Sequence, residues 1–137
     1  MTDYPTDPAD ILEQAADLLE TNGWCRGDFE DNAGRHCAVG AIRCVTGQQA
    51  VEQEIHEAST RLGTSPNLHL RNKFKEVMNA SLDATNILAE KLSQTWRGPD
   101  EYVYIPTWND EAARTADEVI DLMKHTAKDL RNRKEAA

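Results

Sequence analysis

The sequence predicts a mainly α fold: a single compact domain of about five helices, with one short extended segment before the C-terminal helix. Three observations point there. Apolar residues recur at helical spacing through most of the chain, the mark of amphipathic helices. Aromatics make up 6% of the 137 residues, so a core must come from Leu, Ile, Val, Ala and Met, which suits packed helices. No Gly or Pro interrupts the longest periodic stretch, residues 67–96. At this length folding buries roughly two-thirds of the unfolded chain's surface, enough for one core without metal or disulfide.

The elements follow in order. Residues 1–6 and 132–137 are expected as loose ends of one 1–137 helical domain. Asp7 and Pro8 form a cap and first-position pair, and Asp10 suits the positive first turn. Ile11, Leu12, Ala15, Ala16, Leu18 and Leu19 then make one stripe, and Asn22-Gly23 ends the helix. Residues 24–36 carry Trp24 and Phe29 as aromatic anchors among polar turn residues. Asp28, Glu30, Asp31 and Asn32 invite a calcium reading, but Gly34 comes too late and no Glu closes a twelve-residue loop. A polar loop ending at Ala33-Gly34 is expected instead.

Residues 36–46 read as a short, central, buried helix, in which Gly40 implies a close crossing because glycine otherwise weakens a helix. Thr46 and Gln49 have capping-box spacing for the next helix, whose inner side is Val51, Ile55, Ala58 and Leu62. Ser65-Pro66 opens the longest helix. At ~1.5 Å per residue, some thirty residues would span ~45 Å, more than a domain of ~14 Å radius of gyration offers. The helix must break, near Asn79-Ala80-Ser81, or overhang and meet another subunit. Glu101 to Ile105 is strand-like, closed by Pro106. Thr115 and Glu118 cap the last helix, whose stripe runs from Ala116 to Leu130.

Charge and cysteine usage narrow the function. Residues 1–60 hold twelve Asp/Glu and three Arg, so the whole net charge of −9 belongs there. Nucleic acid is an unsuitable partner, because its binding draws on Lys and Arg neutralising phosphates. The basic residues near the C-terminus, Lys124 to Lys134, are read as helix-end electrostatics. No apolar run reaches the ~20 residues of a membrane span, and the acidic start is unlike a secretory signal. Three cysteines, an odd number, read as reduced thiols in a cytoplasm.

The stretch Trp24 to Gly47 concentrates the unusual residues: all three cysteines and four of the seven glycines. Cys37, at a predicted helix start where the dipole lowers a thiol pKa, is the one candidate nucleophile for a cysteine-dependent hydrolase or transferase. His36 beside it points about 100° away, so a more distant histidine would have to serve as base, oriented by Asn109 or Asp110. A zinc site from Cys25, Cys37 and Cys44 has the wrong spacings; no metal and no cofactor is expected. Trp24, Arg35, Trp108, Asn109 and Asp110 could shape a small-molecule pocket, with aromatic walls and polar heads. Phosphate loops, paired catalytic carboxylates and HExxH helices are absent.

The order Gly23-Trp24-Cys25, Gly34-Arg35, Cys37 to Ile42, Trp108-Asn109-Asp110 and Thr115 to Ile120 resembles a small family of proteins from actinobacteria and their bacteriophages, labelled a domain of unknown function. The resemblance implies a phage or actinobacterial cytoplasm, but no activity or catalytic residue. The expectation is a non-enzymatic accessory protein acting through protein–protein contacts, with a homo-oligomer and, if phage-encoded, a host protein as partners.

Overall fold

The computed structural model describes residues 4–113 and 115–136. Its helices are α1 (Pro8–Asn22), α2 (Ala38–Val45), α3 (Gln48–Leu62), α4 (Leu68–Leu92), a single turn α5 (Ile105–Thr107) running into a π-helical turn (Trp108–Ala112), and α6 (Ala116–Ala136). The mainly α expectation holds.

The core is the one the periodicity selects. Ile11, Leu12, Ala15, Ala16 and Leu19 of α1 meet Ala38, Ala41 and Ile42 of α2, Ala84, Leu88 and Leu92 of α4, and Val119, Met123 and Ala127 of α6, all of them buried. Each fully buried aliphatic side chain of this kind contributes about 1.5–3 kcal/mol relative to exposure. Ion pairs tie α6 to its neighbours: Lys124 to Glu20 and Arg131 to Asp10 and Glu13 of α1, and Asp129 to Lys91 of α4. Residues 132–136, expected as a loose end, are the last turns of α6, and Tyr4 lies over Gly47; residues 1–3 and 137 lie outside the described residues.

The long helix does not break. α4 is a continuous 25-residue helix, about 37 Å long at ~1.5 Å per residue, and it overhangs. Its buried residues, Ser81, Ala84, Leu88 and Leu92, all lie in the C-terminal half, whereas α3 buries only Gln48 and Val51. Thr46 bonds Ser81 (2.7 Å) and Glu54 pairs with Lys73 (3.6 Å). These two links fix an antiparallel α3–α4 hairpin whose far end projects as a two-helix arm.

Three local expectations are corrected. Thr46 and Gln49 form no capping box: Gly47, in the left-handed region, is the cap of α3, and the Thr46 hydroxyl is engaged by Ser81 across the core. Asn67 rather than Ser65 caps α4, accepting from Leu70 N–H (2.9 Å). The strand-like run 101–105 is the expected extended segment but is shorter: Glu101 belongs to a 3-10 turn and Ile105 to α5, and no strand forms among the described residues. Tyr102 and Tyr104 are extended, between a 3-10 turn (Pro99–Glu101) and α5.

Candidate functional site

The loop between α1 and α2 is built around two isolated bridges. His36 donates its N–H to the Gly23 carbonyl (3.1 Å) and accepts from Cys25 N–H (3.0 Å); Cys37 N–H reaches the Phe29 carbonyl (3.3 Å). One acidic residue of this loop, Asp31, serves the loop's own backbone. Asp31 accepts from Ala33 N–H, Arg35 N–H and Arg35 Nε, at 3.0, 2.9 and 2.7 Å. The Arg35 N–H bond foremost holds its carboxyl below the usual carboxylate value. Gly40 is needed because the Phe29 backbone lies directly on α2, where a Cβ would collide with the Phe29 carbonyl.

Asn109 joins this loop to the segment after α5. The π turn buries two consecutive side chains, Trp108 and Asn109, the latter completely. Asn109 Oδ1 accepts from the Trp24 indole N–H (2.7 Å) and from Ala38 N–H in the first turn of α2 (2.9 Å). Its Nδ2 donates to the Cys25 carbonyl (3.1 Å) and to Asp110 Oδ1 (2.9 Å), which also accepts from Gly27 N–H (2.9 Å). A buried amide with four partners is fully satisfied. The Arg26 guanidinium extends the clamp, bonding the Ala113 carbonyl and lying over the Trp24 ring at 4.9 Å.

Of the residues singled out in the sequence, Trp24, Asn109 and Asp110 therefore come together. Trp108 fills the core beside them. Arg35 lies on the surface, paired with Asp31 at 2.7 Å, its stem against Gly23. The space between the two tryptophan motifs is filled by the amide network.

An open cleft of about 480 Å³ lies alongside this network. Phe29 and Tyr104 wall it, Cys37 and Val39 form its floor, Asp28 and Asp110 stand on it as carboxylates, and Gly27 and Pro106 complete it. Phe29 is about half exposed, as is Tyr104, which stacks on Tyr102 with ring centroids 5.9 Å apart. Sequence reading missed Tyr104 as a site residue and took Phe29 for an anchor. The signal for Tyr104 was the Tyr-x-Tyr alternation in an extended run, which puts both rings on one side. A groove of about 490 Å³ between α1 and α6 is as large, but its Lys124 and Arg131 are already ion-paired.

Cys37 is the cap of α2, its Sγ accepting from Gly40 N–H (3.2 Å). Burial pushes its thiol pKa up, and Asp110 adds to the rise, outweighing the opposing hydrogen bonds from Gly40 and Val39. No histidine bonds to this sulfur among the described residues. His36 is buried with both ring nitrogens lacking a hydrogen bond; Glu30 Oε1, 3.4 Å from Nε2, is close enough for an ion pair with a protonated ring but not aligned as a hydrogen-bond acceptor. Cys25 donates weakly to the Arg35 and Asp28 carbonyls, at 3.4 and 3.5 Å. Among the described residues no three His, Cys, Asp or Glu side chains converge as a metal site, and no helix is long and apolar enough to cross a membrane.

A satisfied polar clamp and the aromatic, acidic cleft beside it define the candidate site of this helical domain. The chain belongs to DUF6197, a family of unknown function, whose model matches residues 3–129. Comparison with curated proteins and with solved structures gave no match.

Proposed function

We propose that this is a non-enzymatic binding protein that holds a protein partner in the Phe29–Tyr104 cleft. One observation carries the reading: the cleft offers exposed aromatic side chains and carboxylates, while its Cys37 thiol is shielded and bonds no histidine among the described residues. Rings held half in solvent supply contact area at low entropic cost, as binding surfaces do. A cysteine-dependent hydrolase or transferase is disfavoured by the raised pKa of Cys37. A small molecule would use the same cleft, but its mouth is open and its walls far apart in sequence, which suits a protruding segment better. We infer that the role is carried out in the cytoplasm of an actinobacterial or phage-infected cell, with a host protein as partner if the chain is phage-encoded; the resemblance of its motifs to such proteins supports this.

A homo-oligomer is the second reading, favoured by the α3–α4 arm. Ile55, Leu70, Phe74, Val77 and Met78 are only half buried there, and Leu62 and Leu68 at its tip are exposed, more apolar surface than a lone hairpin covers.

Photo-crosslinking tests the cleft directly. Benzoylphenylalanine at position 104, compared with the same group at Thr60 on the arm, is expected to give one dominant protein adduct in actinobacterial cells. Adducts of equal pattern at both positions, or none at 104, contradict the reading.

A further inference from the structure

We propose that the cleft recognises a cationic side chain, lysine or arginine, presented by an extended segment of the partner; this rests on the reading of the cleft as a docking site. Its two carboxylates have spare capacity. Asp28 makes no side-chain hydrogen bond or ion pair among the described residues, and Asp110 uses only Oδ1, for Gly27 and Asn109. Among the described residues no Lys or Arg lines the cleft. Two neighbouring guanidiniums are spent: Arg26 on the Ala113 carbonyl and Trp24, Arg43 on Glu52 and on the Phe29 ring at 4.2 Å. An acidic cleft without its own counter-ion is complementary to a cation from outside.

The walls fit the rest of such a side chain. Aromatic faces attract cations, and Phe29 already holds Arg43 on one of its faces. Val39, Pro106 and the uncharged Cys37 thiol give the long aliphatic stem of lysine or arginine an apolar bed. A metal ion would need further oxygen or sulfur ligands, and no third acidic or sulfur ligand converges among the described residues.

The extended form of the partner follows from the lip of the cleft. Tyr102 and Tyr104 are extended, and the Val103 backbone between them has no hydrogen-bond partner among the described residues. A segment laid beside it gains main-chain bonds while alternate side chains enter the cleft, the logic of strand addition.

A random-peptide phage library, selected on the full-length protein and counter-selected on Tyr104→Ala, tests this. Selected peptides are expected to share a Lys or Arg at one position. A synthetic peptide of the consensus should bind Asp28→Asn and Asp110→Asn about three- to tenfold more weakly than the parent, and the gap should narrow as salt rises and weakens binding to the parent. Asn at 110 retains an acceptor for Gly27, so the fold is kept, and circular dichroism checks it. Peptides that need Tyr104 but share an apolar or acidic position would overturn cation recognition while leaving the docking site standing. A library that yields nothing distinguishing the parent from Tyr104→Ala overturns both.

Discussion

The Asn109 clamp and the α3–α4 arm are opposite solutions to holding helices in place. The clamp is polar, buried and saturated: one amide ties the α1–α2 loop, the start of α2 and the π turn together through four hydrogen bonds. The arm is apolar, half exposed and anchored mainly at its base, by Thr46–Ser81 and Val51. The difference teaches where the conspicuous motif residues are used. Trp24, Asn109 and Gly40 position backbone, and the surface they position, Phe29 and Tyr104 with two carboxylates, is left open to solvent.

The contrast breaks first at Asn109. Asn109→Ala strands the Trp24 indole N–H, the Ala38 N–H and the Cys25 carbonyl in a buried place, each costing about 1–3 kcal/mol, so a loss of about 3–5 kcal/mol is expected in urea unfolding. A loss under about 1 kcal/mol would mean that water replaces the amide. Gly40→Ala comes next, at about 2–4 kcal/mol, because the Phe29 backbone cannot move aside without pulling on its bridge to Cys37. Its unfolding midpoint checks this.

In the arm the effects shrink. Phe74→Ala, at a half-buried site, is expected to cost about 1–2 kcal/mol, below the ~3–5 of a core phenylalanine, and Leu62→Ser at the tip within about 0.5 kcal/mol. Equal losses at Phe74 and Asn109 would erase the distinction.

The smallest effect is a dependence on pH. Burial raises the thiol pKa of Cys37, Cys25 and Cys44 above an ordinary value of 9.0. The folded state thus holds these protons more tightly, and the resulting stability is complete below pH ~9 and lost as pH rises through the folded values. Asp31 and Asp129 act in the opposite sense: their lowered pKa contributes above the usual carboxylate range and is lost as pH falls through the folded values. Midpoints across pH check both limbs. Iodoacetamide should modify Cys37 in the folded protein more slowly at neutral pH than an unstructured thiol peptide, and faster labelling would revive the nucleophile.

Much of the fold was legible because helical periodicity is local: the stripes of α1, α4 and α6 and the Thr115 cap of α6 (3.3 Å to Glu118 N–H) stand as read, whereas in α3 only Val51 of the expected inner side is buried and Leu62 is exposed. What failed depended on distance. Thr46 has the right spacing to cap α3, but its hydroxyl is claimed by Ser81, 35 residues on. Glu101 to Ile105 has strand composition and finds no strand to pair with. Asn109 was visible as a motif residue, yet its role rests on Trp24, 85 residues away. Phe29 reads as an aromatic anchor, yet it is the Phe29 backbone that packs on Gly40, and its ring stands outside.

Native-state hydrogen exchange tests the contrast most directly. The Ala38 and Ala41 amides and the Trp24 indole N–H should exchange only through global unfolding, as slowly as the central amides of α1 and α6. Amides from Ile55 to Leu62 and from Arg71 to Glu76 should exchange much faster, through opening of the arm alone. An arm protected to the global level, or an indole N–H that exchanges while the arm stays closed, would contradict the account.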